Sequence, residues 1–185
     1  MDRYLIFTYN QTMLKLKGNY VCVLSNRYVV IRGIKMDKYM KRATELAAEN
    51  VHDGGQPFGA VLVKGSDIVA EGVNELHKNY DVSGHAELLA IRRAQEKLQT
   101  NNLSDYIMYA SGEPCPMCLT AMYFAGIDKV FYCASIEDAV EAGIGKSKAI
   151  YEDLKKPKTE RTLSMIQMSP KRGQINPMKL WSDRL

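Results

Sequence analysis

The chain has few cysteines, a single tryptophan and no long apolar run, and its surplus of positive charge is confined to one end. Four Cys in 185 residues are too few for a disulfide-stapled scaffold, which packs them far more densely. No apolar stretch approaches the roughly twenty residues that cross a bilayer. The N-terminus alternates polar and apolar residues, unlike the compact apolar core and small-residue cleavage site of a secretory signal. These absences point to a cytoplasmic protein with no membrane partner. The net charge of +4 first suggests nucleic acid, yet residues 1–35 hold six basic residues and one acid, which leaves −1 for residues 36–185. A groove that tracks phosphates needs Lys and Arg clustered on the folded body. Nucleic acid is therefore not an expected partner.

What is present is an ordinary globular composition, 46% apolar and 25% charged, at a length that suits one domain with its own core. Residues 1–35 differ from the rest: they are rich in Tyr and β-branched residues and contain no Ala. Within them, Lys17-Gly18-Asn19 is placed to turn between Thr12–Leu16 and Tyr20–Leu24 as a hairpin. A second reading takes Met36 as the biological start and 1–35 as translated leader. The codons of Arg32-Gly33 can spell a purine-rich ribosome-binding sequence just before it. We accordingly divide the chain into a doubtful extension (1–35), a domain (36–168) and a C-terminal tail (169–185).

From Met36 the periodicity is regular. Met40, Ala43, Leu46, Ala47 and Val51 recur at helical spacing and predict a helix over Asp37–Val51. Ala60–Lys64 and Asp67–Glu71 read as a hairpin turned at Gly65-Ser66. Further helices are expected at His85–Leu98, Cys115–Ala125, Ile136–Ala142, Ala149–Leu154 and Pro177–Asp183. Strands are expected at Tyr106–Ala110, Lys129–Cys133 and Thr162–Met168, with Cys133 as a buried thiol. This alternation predicts an α/β fold, a three-layer α/β/α sandwich around a mixed central sheet.

Two helix starts carry chemistry. One is His85-Ala86-Glu87, the other Pro114-Cys115-Pro116-Met117-Cys118. A Cys-x-x-Cys in a cytoplasmic protein is a metal site or a redox pair more often than a structural bridge. Two thiolates three residues apart on a first helical turn share one face, and the helix N-terminus favours their ionised forms. Three protein ligands with one open position define a catalytic zinc. Cys115 and Cys118 supply two and His85 is the best third, because His52 and His77 are expected in loops. On an ideal helix Glu87 would point roughly 200° away from His85. His85 is therefore expected at the cap, so that both side chains reach one cavity. A carboxylate there takes a proton and returns it, which is general acid–base work. The paired pattern matches the H-x-E … P-C-x-x-C signature of the zinc deaminases.

On these motifs the sequence resembles the cytidine deaminase-like superfamily, most closely its bacterial guanine deaminases. The similarity spans about Met36 to Trp181, through GGQPFGAVLVKGSDIVAEGVNEL, GHAELLAIRRA, EPCPMCLTAMYFAG, KVFYCASIEDAVEAGIG and IYEDLKKPKTERTL. The resemblance implies Zn2+ at His85, Cys115 and Cys118, a proton shuttle at Glu87, and hydrolytic deamination of a small purine-type base. It further implies a base-binding amide at Asn74, backbone against the base at Ala86, and aromatic walls at Phe58 and Phe124. A homodimer is implied as well, with the tail and its Trp181 crossing to the partner. A tRNA adenosine deaminase and a catalytically silent zinc-binding subunit are the alternatives. Lys146 stands where the guanine deaminase pattern has an acid. The chain also reaches Arg184-Leu185 without the aromatic that closes the family tail over the site.

Overall fold

The computed structural model describes residues 5–8, 11–16, 19–24, 27–31 and 38–185, without 172. Strands β1 (Leu5–Thr8), β2 (Gln11–Leu16), β3 (Asn19–Leu24) and β4 (Arg27–Ile31) form an antiparallel meander. Leu16 pairs with Asn19, so the two strands of the expected hairpin are paired, while its turn residues Lys17 and Gly18 lie outside the described residues. Met36 and Asp37, on which the leader reading and the first residue of the predicted helix fall, lie outside the described residues.

The second sheet is built from β5 (Gly59–Lys64), β6 (Asp67–Val73), β7 (Ile107–Gly112) and β8 (Lys129–Ala134), in the order β6-β5-β7-β8. β5 runs antiparallel to β6 and β7, and β7 parallel to β8, so the sheet is mixed as expected. Gly65 turns the hairpin with a φ of 59°, a left-handed value that suits a residue without Cβ. Alternate residues of β5 enter opposite layers. Val61 and Val63 pack with Met40, Ala43 and Leu46 of α1 (Lys38–His52). Ala60 and Leu62 join Ala86, Ala90 and Ile91 of α3 (Ala86–Leu98), together with Met122 of α4 (Pro116–Ala125). A bidentate pair from Arg42 to Glu71, at 2.8 and 2.9 Å, ties α1 to β6 across one sheet edge. Among the described residues no helix is long and apolar enough to cross a membrane.

The rest of the fold comprises α2 (Leu76–Asn79), α5 (Ile136–Glu141), α6 (Lys146–Leu154), a 3-10 turn at Lys158–Glu160 and α7 (Pro177–Ser182). Two expectations fail. Residues 162–168 form no strand, and Ile166 among them is 83% exposed. An extended segment becomes a strand only against a neighbour that completes its ladder, and among the described residues β8 pairs with β7 alone. Cys133 is exposed, not buried, because β8 is an edge strand most of whose residues face solvent.

One glycine sets how closely the helix carrying His85 and Glu87 approaches the sheet. A Cβ on Gly72 of β6 would run into the Ala86 carbonyl oxygen and lie 2.9 Å from the Ala90 nitrogen. Backbone cannot yield as a flexible side chain does, so Gly72→Ala should push the first turn of α3 off the strand. We expect a loss of about 2 kcal/mol in stability, the usual scale of overpacking, together with weaker zinc retention. Denaturant melts and elemental analysis measure both, and an unchanged melt would show that the helix has room to move.

Candidate metal centre and active site

The two helix starts meet as the sequence spacing requires. His85 caps α3 with extended backbone (φ −81°, ψ 149°), and Glu87 follows in the first turn. Breaking the helical rotation at the cap lets both side chains reach the same place. Cys115 caps α4 in the same way, Pro116 takes the first helical position, and the Cys115 Sγ accepts from the Cys118 backbone N–H at 3.5 Å. Proline fits there because its missing N–H would have had no intrahelical partner. β7 feeds α4 directly, and the contact of β6 with α3 brings the second helix start alongside.

The three donor atoms form a near-equilateral triangle. Cys115 Sγ lies 3.5 Å from Cys118 Sγ and 3.5 Å from His85 Nδ1, and Cys118 Sγ lies 3.6 Å from the same nitrogen. Around a tetrahedral zinc at about 2.3 Å from sulfur and about 2.1 Å from nitrogen, neighbouring donors stand about 3.6–3.8 Å apart. The triangle fits that ion. It is the one group of three or more His, Cys, Asp or Glu donors, among the described residues, placed to share a metal. His52 and His77 are exposed and lie outside it, and neither is in the expected loop: His52 is the last residue of α1 and His77 is in the short α2.

The electrostatics of the cluster call for a cation. The hydrogen bond from Cys118, and after it that with His85, hold the Cys115 thiol down to about 4. That same hydrogen bond, then burial and the neighbouring Glu87, push Cys118 well above the ordinary thiol range. The pair thus carries one negative charge unaided, and a second thiolate needs positive charge among the donors. His85 is raised, chiefly by its bond to Cys115. Glu87 is 7% exposed, and burial raises its carboxyl above the usual range. Its Oε2 sits 3.5 Å from Cys118 Sγ. A buried carboxyl raised in this way, beside the donor triangle, is suited to proton transfer.

His85, Glu87 and Cys115 open into a cavity of about 400 Å³. Phe58 forms part of its wall, and the ring lies so close to β7 that a Cβ on Gly112 would be 2.9 Å from it. Lys146 is on the lining too, at the first position of α6, with no ion pair among the described residues. The other residues expected at the base, Asn74, Ala86 and Phe124, are not on this lining. Asn74 is 0% exposed and lies behind Gln56, with its amide nitrogen 3.2 Å from Gln56 Oε1. Ala86 is packed in the core against β6. Phe124 is 88% exposed on α4 and does not line the cavity of its own chain. Sequence reasoning missed Gln56 and Glu113, both of which line the cavity. Glu113 Oε2 accepts from the Ile136 backbone N–H at 3.1 Å, which anchors α5 beside the site. The signal for Glu113 was its place two residues before Cys115; Gln56 offered only its position before Pro57-Phe58.

Comparison with known proteins agrees with this geometry. Residues 34–134 match the cytidine and deoxycytidylate deaminase zinc-binding region. The chain is 44% identical to the guanine deaminase of Bacillus subtilis over 78% of its own length and 92% of the relative's. The crystal structure of that enzyme superposes with a TM-score of 0.73 over the same shares of the two chains. Guanine deaminase from Nitrosomonas europaea is 29% identical over 57% of this chain and 62% of its own, with a TM-score of 0.54. The tRNA-specific adenosine deaminase of Aquifex aeolicus is 34% identical over only 52% of this chain and 64% of its own. Fold, donor triangle and sequence agree: the chain belongs to the cytidine deaminase-like family of zinc-dependent hydrolytic nucleobase deaminases, as a guanine deaminase-like member.

Proposed function

We propose that the protein deaminates guanine or a closely related amino-purine to the oxo-purine and ammonia. In this reading His85, Cys115 and Cys118 hold zinc and Glu87 moves the proton. The observation that carries it is the buried Glu87 carboxyl, beside a donor triangle of zinc dimensions, facing one cavity. When bound, zinc supplies the Lewis acidity that makes water nucleophilic near neutral pH. Glu87 takes the proton of the attacking water and delivers it to the departing amine, which leaves as ammonia. Phe58 offers a flat apolar wall for a planar ring.

Lys146 shapes the choice of base. An ammonium offers donors only, so it opposes an N–H edge and favours carbonyl or anionic acceptors. We expect measurable but weak guanine turnover, followed as xanthine and ammonia release, and a gain of about tenfold in Lys146→Asp. Strong native turnover that Lys146→Asp leaves unchanged would remove Lys146 from recognition. Absence of ammonia release from any purine would end the reading as a whole.

The assembly we infer is a homodimer that exchanges its tails. The support is that described residues from Thr162 to Leu185 are all exposed, with Trp181 at 63%. A large aromatic ring ordinarily finds a packing partner, and the described residues of its own chain do not cover this one. Deleting residues 170–185 should yield a smaller species with activity reduced about tenfold or more. Sedimentation and turnover check this, and a truncated protein equal to the parent in both would reject the exchange.

A further inference from the structure

We propose that Gln56 is a specificity-determining residue, presenting an amide donor to a carbonyl oxygen on the edge of the base that faces away from the metal ligands. This rests on the deaminase reading above. The argument starts from Asn50, buried on α1, whose Nδ2 donates to the Gln56 carbonyl at 2.8 Å and to the Asn74 carbonyl at 2.9 Å. The loop before Phe58 and the end of β6 are thereby held together. The Leu76 backbone N–H, which can only donate, lies 3.2 Å from one terminal atom of the Asn74 amide. That atom must be Oδ1, so the other is Nδ2. Nδ2 in turn lies 3.2 Å from a terminal atom of Gln56, which must be the acceptor Oε1. Both amide orientations follow from one backbone donor and need no further choice.

Gln56 is left with Nε2, which has no protein partner among the described residues, on a side chain that lines the cavity with Phe58, His85 and Glu87. Its N–H groups suit an acceptor on the substrate. Guanine, with its amine-bearing carbon at Glu87, carries a carbonyl oxygen farther round the ring. 2,6-Diaminopurine carries an amino donor at that same place. The geometry thus favours the oxo base over the amino base.

Gln56→Glu tests this by inverting one hydrogen-bond sense and little else, since Gln56 is exposed at the rim. Asn74 Nδ2 still donates to one carboxylate oxygen, and the other oxygen takes the place of Nε2 as an acceptor. In zinc-loaded protein that also carries Glu87→Gln to stop turnover, calorimetric Kd values for guanine and 2,6-diaminopurine are compared. With Gln56 present, guanine should bind more tightly. Gln56→Glu should shift the ratio of the two Kd values by about a hundredfold toward the diamino base, because a bound base covers this contact and leaves an acceptor facing its carbonyl oxygen. Gln56→Leu should weaken guanine about tenfold without reversing the order. In the otherwise intact enzyme, Gln56→Leu should raise KM for guanine more than it lowers kcat. Kd ratios within twofold of the parent in both variants, while the parent turns over guanine, would overturn the role of Gln56 alone. A parent that neither binds nor deaminates either purine would overturn this inference together with the deaminase reading.

Discussion

Glu87→Gln protein is expected to keep one zinc per chain and its melting temperature, yet to turn over at least ~100-fold more slowly, the usual minimum for removing a general acid–base group. The reasoning is geometric. Glu87 is buried beside the donor triangle without belonging to it, so zinc should stay on His85, Cys115 and Cys118. Glutamine preserves the volume and one acceptor oxygen, which spares the first turn of α3. What it cannot do is take a proton from water and give it up again. Elemental analysis beside steady-state ammonia release measures both halves of the prediction. A fully active Gln variant would place the proton shuttle elsewhere.

Cys118→Ala should have the opposite signature, with zinc below about a tenth of an equivalent and no detectable turnover. Cys118 is fully buried at the centre of the cluster, and two donors hold zinc far less well than three. Binding free energy at such a site is also folding free energy. The variant should therefore melt lower than the parent, and a strong chelator should lower the parent while leaving the variant in place. Zinc content and melting with and without chelator decide it. A variant that retains stoichiometric zinc would exclude Cys118 as a ligand.

The sequence made the site legible to an unequal degree. The metal donors and Glu87 were readable because their chemistry is tied to backbone position. A cap residue leaves the helical rotation, a Cys-x-x-Cys spans one turn, and Pro116 marks the turn on which it sits. The contacts expected for the base were less readable, since they depend on which of several neighbours reaches the cavity first. Asn74 was expected there, and the structure puts Gln56 in front of it. Phe124 was expected over the substrate, and the structure turns it outward on α4. Nothing local in the chain separates these outcomes.

The same division runs through the fold. Sequence by itself determined α1, α3, α4 and the strands of the second sheet, because burial of one face of each helix imposes a period that residues must obey and burial of both faces of β5 imposes a short continuous apolar run. The four-residue α2 is too short to leave such a mark. Sequence also determined the chemistry, because thiolate, imidazole and carboxylate at two helix starts leave few other uses. Tertiary structure decided whether Thr162–Met168 had a strand to pair with, whether Cys133 lay under a helix or at an open edge, and which amide faced the cavity. These are questions of what stands opposite a residue, and a partner distant in the chain leaves no periodic mark on the segment that meets it.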